Sequence, residues 1–206
     1  MTERMQFQME CRAFFEALDR EQYSPLVFGE GPEHSPRLML IGEAPGEQEA
    51  LQGRPFVGKA GKNLDQFLEA ISLKREEIYI SNVVKVRPSK ISAAGRKVNR
   101  PPTRAEKAQF IPWLMREIAI VRPRALVTLG NVALQAFVDD VIGNRHGRWT
   151  DVTITADGYE SLKLPLFALY HPASVIYNQS LKRTYEADLN ALAGALHEIR
   201  GVQNDI

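Results

Sequence analysis

Short, nearly continuous apolar runs alternate with longer amphipathic segments along this chain of 206 residues. Four of the runs are rich in β-branched and aromatic residues, as is typical of strands that are buried on both faces of a sheet. They span residues 37–43, 77–84, 124–130 and 164–171. The alternation of such strands with helices predicts an α/β fold with a parallel sheet, whose ligand site lies at the carboxyl ends of its strands.

Helices are predicted from apolar positions that are spaced three and four residues apart. One helix covers 62–71, and the last one has a shared apolar face made of Tyr185, Leu189, Leu192, Leu196 and Ile199. Thr103 and Glu106 form a capping box that predicts the start of a third helix, and Asn131 is predicted to cap a fourth. We expect Pro112 to kink or restart the third helix, because proline removes a backbone donor.

The composition, with 44% hydrophobic and 25% charged residues, is that of an ordinary folded domain. Because no break in composition divides the chain, we expect one domain over residues 1–206, with a helical segment at 1–27 and a long basic loop at 85–102. The first residues are charged, and no apolar stretch approaches the roughly 18 residues of a membrane span. We therefore expect a cytoplasmic protein that has no membrane segment, and we expect it to be a monomer.

The chain contains a single cysteine, Cys11. One thiol cannot form an internal disulfide, a CxxC redox pair, or a zinc or iron–sulfur site with cysteine ligands from this chain. We therefore expect no cofactor, no metal site and no redox chemistry.

The net charge of +1 conceals one strongly basic segment. Between Lys85 and Lys107, eight Lys or Arg residues stand against a single acid, Glu106. An acidic body with one basic strip suits a polyanion that is bound along one face. A charge run is equally typical of a solvated loop, so the charge alone does not decide between these interpretations.

Polar side chains that are suited to holding a planar base stand at three predicted strand ends. Glu43 ends the first strand, Asn82 lies at the end of the second, and His171 ends the fourth. The Asn82 amide offers a donor beside an acceptor, which matches the edge of a pyrimidine. A neutral His171 can donate to a carbonyl oxygen that gains negative charge, and Phe56 in a glycine-rich loop offers a stacking surface. Each residue also has a purely structural alternative, but their common placement at one sheet edge favours a binding site.

The chain resembles the uracil-DNA glycosylase superfamily in three sequence blocks, which are GEAPGEQEALQGRPFVGKAG, SNVVKVRP and YHPASV. The likeness extends from about Phe28 to the final helix and is greatest for family 4, the iron–sulfur type of bacteria and archaea. It implies a three-layer αβα sandwich with a central four-stranded parallel sheet. It also implies removal of uracil from DNA without metal chemistry.

Carried over by position, the resemblance implies a role for each residue of the site. The residues that would contact the substrate are Glu43 and Ala44, which with the following backbone would line the wall beneath the base and sugar, together with Phe56, Asn82 and His171. Of these, Phe56 would stack on uracil, Asn82 would hold its polar edge, and His171 would support the leaving uracil anion. Glu49 matches a family carboxylate that either crowds the C5 edge of the base against thymine or places the water. Ala44 replaces a polar residue that handles the water in other branches, which leaves that task to Glu43 or to the backbone.

Family 4 proteins hold an iron–sulfur cluster with four cysteines, and this chain departs from that pattern. Val86 and Phe110 stand at the third and fourth cysteine positions, and the first two positions fall near Ala17 and Arg20. No cluster can form from these residues. We expect Val86 and Phe110 to fill its volume as packed side chains, each gaining roughly 1.5 to 3 kcal/mol by burial. The family's cluster is structural, so its loss leaves activity possible.

The resulting hypothesis is a monofunctional glycosylase that hydrolyses the N-glycosidic bond of uracil in DNA, at the start of base excision repair. The expected partner is single- or double-stranded DNA containing uracil, at the nucleoid of a bacterial cytoplasm. A base within duplex DNA must be flipped out before it can be reached. The side chains expected to contact its phosphates are those of Lys85, Arg87, Lys90, Arg96, Lys97, Arg100, Arg104, Arg145 and Arg148.

The segment after His171 has two interpretations. Ser174, Val175 and Ile176 either form an apolar wedge that fills the gap in the base stack or simply pack on the last helix. Two alternatives for the whole protein also stay open, a glycosylase for hypoxanthine or xanthine and a non-catalytic nucleic-acid-binding protein. A pure binding protein would not need a base-reading pocket as well as a basic strip, which favours an enzyme.

Overall fold

The computed structural model describes residues 1–201, with side chains described except at 59–60, 176–177 and 197–201. The strands are β1 (Leu38–Gly42), β2 (Ile78–Asn82), β3 (Ser89–Ile91), β4 (Lys97–Asn99), β5 (Leu126–Leu129), β6 (Trp149–Ile154) and β7 (Leu162–Leu169). The helices are α1 (Glu3–Asp19), α2 (Glu47–Gln52), α3 (Lys59–Ala70), α4 (Arg104–Val121), α5 (Asn131–Leu134), α6 (Ile142–Arg145), α7 (Pro172–Tyr177) and α8 (Lys182–Gly201).

Five strands form the central sheet, in the order β2-β1-β5-β7-β6. The first four are parallel to one another, which confirms the α/β fold class and its four-stranded parallel sheet. The edge strand β6 pairs antiparallel with β7 and was not predicted. Register matters for function, because Gly42 at the end of β1 lies opposite Asn82 at the end of β2. The strand ends therefore bring the predicted polar residues to one edge, as parallel sheets do.

Alternate residues of the buried strands pack on opposite faces of the sheet. In β1, Met39 and Ile41 belong to the core beneath α1 and α4, whereas Leu38 and Leu40 belong to the core beneath α3 and α8. The α3 and α8 residues on this second face include Leu64, Phe67, Leu68, Tyr185, Leu189, Leu192 and Leu196. Two covered faces make three layers, and the continuous hydrophobicity of the strands follows from that burial. No helix within residues 1–201 is long and apolar enough to cross a membrane.

The capping box of α4 forms as the sequence predicts, with the Glu106 amide donating to Thr103 Oγ1 and the Thr103 amide donating to Glu106. Pro112 lies inside α4, and the helix continues through it without a restart. Asn131 does not cap α5, which Gly130 precedes. Its side chain instead accepts a hydrogen bond of 2.7 Å from the amide of Ile142, at the start of α6. The predicted cap of α5 is therefore wrong, because the partner of Asn131 is eleven residues away and local spacing does not indicate it.

The segment 85–102, which the sequence predicts as a long loop, contains an antiparallel hairpin of β3 and β4. Two arginines fix this hairpin to the body of the protein. Arg87 reaches Asn99 Oδ1 and Glu47, and Arg100 makes two hydrogen bonds of 2.7 Å to the Glu106 carboxylate. Arg100 and the Thr103 cap lower the pKa of Glu106 to about 2, so this ion pair persists at neutral pH.

Candidate active site

A small cavity of about 50 Å³ lies at the carboxyl ends of the parallel strands. The residues that line it are Ala44, Gly46, Glu49, Phe56, Asn82 and His171. Five of these six are residues that the sequence predicts for the site: Ala44, Asn82 and His171 lie at the ends of parallel strands, Phe56 lies in a loop, and Glu49 lies in α2. Gly46 is the addition, and the fold brings it there because it directly precedes α2. Glu43, which the resemblance places in the wall beneath the base and sugar, does not line this cavity.

The Phe56 ring and the Asn82 amide approach each other over Gly42. A Cβ atom at Gly42 would lie 2.4 Å from Asn82 Oδ1 and 2.7 Å from Cζ of Phe56, so no side chain fits at this position. Phe56 and Asn82 are only 5% and 3% exposed. The bare strand end therefore lets an aromatic face and an amide lie at a shared hollow, as the sequence predicts.

His171 precedes α7 and accepts a hydrogen bond from the amide of Ala173 at Nδ1, over 3.2 Å. A backbone N–H can only donate, so Nδ1 carries the lone pair and the proton of the neutral ring resides on Nε2. Burial lowers the pKa of His171, which favours this neutral form. The ring therefore presents one N–H donor at a cavity that is shared with Asn82.

Glu49 is buried, and its carboxylate holds the surrounding backbone together. Oε1 accepts from the amides of Val57 and Gly58 at 3.1 and 2.8 Å, and Oε2 accepts from the amide of Gly46 at 3.1 Å. These three bonds leave one of the four carboxylate acceptor positions available. Glu49 therefore orders the cavity wall, and its two predicted roles toward base or water stay predictions.

Glu43 is half-buried at the end of β1. Burial raises its pKa, and the positive charge of Lys107 opposes that rise. Lys107 belongs to the first turns of α4 and lines a separate cavity of about 200 Å³. The sequence does not link these residues, because Lys107 is only one of eight cations in a basic run.

The structure corrects the prediction that Lys85 contacts DNA. Lys85 is fully buried, and its Nζ donates to Glu117 Oε2, Ser81 Oγ and the Asn82 carbonyl at 2.5, 2.6 and 2.7 Å. Glu117 also accepts from Tyr79 and from the Gly29 amide. A buried ammonium group requires such partners, and here they tie the end of β2 to α4. Lys85 supports the backbone of Asn82 and cannot reach a phosphate.

The other cations that are expected to contact phosphates differ in their ion pairing and their exposure to solvent. The side chains of Arg87, Arg100 and Arg145 pair with Glu47, Glu106 and Asp140. The exposed cations are Lys90, Arg96, Lys97, Arg104 and Arg148. Of the segment after His171, Ser174 is exposed and Val175 packs against the core, both within a short helix. The side chain of Ile176 lies outside the described residues.

The positions that correspond to cluster cysteines do not fit an iron–sulfur group. Val86 and Phe110 are 3% and 0% exposed, which confirms that they are packed side chains. Phe110 stacks on Phe15 of α1 with ring centroids 4.1 Å apart, and Tyr23 lies 5.0 Å from Phe15. Burial raises the pKa of the Cys11 thiol to about 12, so it offers no thiolate. Aromatic packing surrounds Phe110, whereas Val86 lies in the wall of a cavity of about 410 Å³.

Comparison of the sequence with known proteins identifies the family of this chain. A sequence model of the uracil DNA glycosylase superfamily matches residues 28–193 of this chain. The chain belongs to this superfamily. The matched residues of this uracil-DNA glycosylase superfamily member include every strand described above and most of the helices. The match also confirms the resemblance that the three sequence blocks indicate.

Three similar proteins are type-4 uracil-DNA glycosylases. The protein of Archaeoglobus fulgidus is 35% identical, over 89% of this chain and 87% of the relative. That of Sulfurisphaera tokodaii is 36% identical, over 75% of this chain and 68% of the relative. That of Saccharolobus solfataricus is 36% identical, over 82% of this chain and 76% of the relative. This member of the uracil-DNA glycosylase superfamily is therefore similar to the type-4 proteins over most of its length.

Proposed function

We propose that this protein is a monofunctional uracil-DNA glycosylase, which hydrolyses the bond between uracil and deoxyribose and so starts base excision repair. The observation that carries the proposal is the meeting of Phe56, Asn82 and His171 at one small cavity. An aromatic face, a paired donor and acceptor, and a single N–H donor are what a flipped pyrimidine requires. The similarity to type-4 uracil-DNA glycosylases supports the same activity.

The choice of uracil over a purine rests on the relatives, because the similar type-4 proteins are named uracil-DNA glycosylases. The cavity of about 50 Å³ is open to the surface and does not by itself select the size of the base. We therefore favour uracil over hypoxanthine and xanthine as the substrate base.

The reaction breaks the bond between C1′ of the sugar and N1 of uracil. Uracil leaves with the electron pair as an anion, while the sugar passes through an oxocarbenium-like state. Nε2–H of His171 donates to the uracil carbonyl oxygen on which negative charge develops, and this interaction is strongest in the transition state. Water then adds to C1′ and loses a proton, and the uracil anion takes up a proton.

The carboxylate of Glu43 supports the sugar side of the reaction. Its position at the end of β1, next to the wall residue Ala44, suits stabilisation of a cationic sugar or orientation of the water. The exposed cations Lys90, Arg96 and Lys97 hold the DNA backbone while the base is extruded. Ser174 contacts the same strand beside the flipped nucleotide.

The test is an excision assay on matched oligonucleotides that carry uracil, hypoxanthine or xanthine, in single-stranded and double-stranded form. Alkali then cleaves any abasic site, and the products are separated by length. We expect cleavage at uracil alone, and much slower cleavage by a His171→Ala variant that is purified in the same way and serves as the purification control. Cleavage only at hypoxanthine or xanthine would reassign the substrate. Binding to all the oligonucleotides without cleavage would make the protein a non-catalytic nucleic-acid binder.

A further inference from the structure

The backbone of Phe56 has an unusual conformation. Its φ is +53°, in the left-handed region that residues with a Cβ atom rarely adopt. No glycine provides this turn, so contacts from elsewhere in the protein must hold it. Close packing contributes, because a Cβ at Gly61 would lie 2.1 Å from the Phe56 carbonyl oxygen.

Arg75 binds the loop at this point from its outer side. Its Nη1 donates to the carbonyl of Phe56 at 3.0 Å, and its Nη2 donates to the carbonyl of Pro55 at 2.7 Å. The planar guanidinium is suited to two parallel donations of this kind. Asp65 Oδ1 lies 3.6 Å from Nη1 and helps to orient the group. Arg75 does not line the base cavity.

The opposite side of the same backbone is held by a carboxylate. Glu49 accepts from the amides of Val57 and Gly58, and the Val57 amide belongs to the same peptide bond as the Phe56 carbonyl that Arg75 binds. The peptide bond after Phe56 therefore lies between a cation on its oxygen and an anion on its nitrogen. Each charge complements the partial charge that it contacts, so both favour the same orientation of this peptide.

The position of Arg75 in the chain links two parts of the site. It begins a short 3₁₀ helix, Arg75–Glu77, that leads directly into β2, and β2 ends at Asn82. The residue that holds the Phe56 loop is thus attached to the strand that carries the Asn82 amide. Movement of one relative to the other would change the spacing between the stacking ring and the hydrogen-bonding edge.

We infer that Arg75 is a positioning residue for Phe56 and sets its ring against the extruded base. The inference rests on the proposed function and adds a residue to it that does not contact the substrate. Without Arg75 the loop loses two of the hydrogen bonds that hold the left-handed turn. The ring then samples orientations that stack poorly, and catalysis falls because reacting groups are misplaced.

A double-variant cycle in single-turnover uracil excision tests this inference. We expect Arg75→Ala to lower the rate about 10-fold in the wild-type background. In a Phe56→Ala background the same change should alter the rate less than about twofold, because the ring through which it acts is absent. Arg75→Lys should recover part of the rate, since lysine can still donate to one carbonyl. Equal factors in both backgrounds would overturn the inference.

Arg54→Ala is the matched control. This neighbouring arginine also makes two hydrogen bonds, but to the exposed side chain of Glu30, and its removal should leave the rate within twofold. Amide hydrogen exchange of residues 56–58 gives a readout that does not depend on activity, and Arg75→Ala should accelerate it at least about 10-fold. Unchanged exchange would also overturn the inference. A wild-type protein that releases no uracil would contradict the proposed function instead, and the exchange result would still decide the role of Arg75.

Discussion

The bond between the Ala173 amide and Nδ1 of His171 sets the chemistry of this imidazole. It leaves Nε2 as the only ring nitrogen that can donate while the ring is neutral. A cationic ring would donate more strongly, but it would lose the amide bond at Nδ1 and would be buried with a charge. The local backbone therefore selects a neutral donor, which is suited to an anion that forms only during the reaction.

His171→Ala should lower the single-turnover rate of uracil excision by about 10²-fold, the usual effect of removing one donor to a developing anion. The rate is measured with excess protein over a uracil-containing oligonucleotide, so that product release does not contribute. His34→Ala, at an exposed histidine, is the control and should leave the rate unchanged. An unchanged rate in His171→Ala would remove the proposed role.

The pH dependence follows from the direction of the His171 pKa. Burial places this pKa below its ordinary value of 6.5, so more than half of the rings are neutral at the pH where an exposed histidine is half protonated. We expect the single-turnover rate to lose less than half of its value as the pH falls from about 8 to about 6.5, and to reach half only below that. A rate that is already halved above pH 6.5 would contradict a neutral donor with a lowered pKa.

Asn82→Ala should reduce discrimination between uracil and cytosine more than it reduces DNA binding. A buried site built around polar groups rejects the wrong base by leaving those groups unpaired, and alanine removes that penalty. The comparison needs excision rates on matched uracil and cytosine oligonucleotides together with dissociation constants for both. Full retention of the uracil preference would show that another group recognises the base.

The residues of the site differ in how well the sequence alone predicts them. Asn82 and His171 could be predicted because they end buried strands, and Phe56 because glycines surround it. Lys85 could not, because a lysine in a basic run looks exposed until the fold brings Glu117 of α4 to it. The roles of Glu49 and Lys107 likewise depend on partners that only the folded chain provides.

At the scale of elements, the buried Lys85–Glu117 pair joins β2 to α4. Lys85→Met should lower the free energy of unfolding by about 3 to 5 kcal/mol, because it leaves the Glu117 carboxylate buried without its cation. Adding Glu117→Gln should recover about half of that loss, since no charge then remains buried. Urea unfolding measures both variants.

An ion pair on the protein surface serves as the control for the buried Lys85–Glu117 pair. Lys182 and Glu186 lie 4.0 Å apart on α8, and Lys182→Ala should cost less than about 0.5 kcal/mol. A Lys85→Met variant as stable as this control would mean that water reaches Glu117 and replaces the ammonium group. The double variant then distinguishes a charge effect from a packing effect.

The long strands and helices were predictable because burial imposes a continuous or periodic apolar pattern on them. The hairpin of β3 and β4 was not, because each strand has three residues and is mostly polar. The edge strand β6 was also missed, since only Val152 and Ile154 of its six residues are buried. Short strands are specified by their pairing partners more than by their own composition.

At the scale of the whole molecule, the exposed cations should govern the salt dependence of DNA binding. Each phosphate contact that is lost lowers the slope of log affinity against log salt by about one. We expect this reduction for Lys97→Gln, and none for Lys163→Gln at the far end of β7. Binding is measured by fluorescence anisotropy at several salt concentrations. Equal slopes for wild type and Lys97→Gln would place the DNA elsewhere on the surface.

The stacking of Phe15 on Phe110 has a consequence for the life of the protein in a cell. Attachment of α1 by ring packing is complete as soon as the chain folds, without delivery of a metal by an assembly machinery. The contact between these two rings also contains no iron that superoxide or peroxide could oxidise. The attachment of α1 is therefore expected to be independent of the iron supply and of oxidants that destroy iron–sulfur clusters.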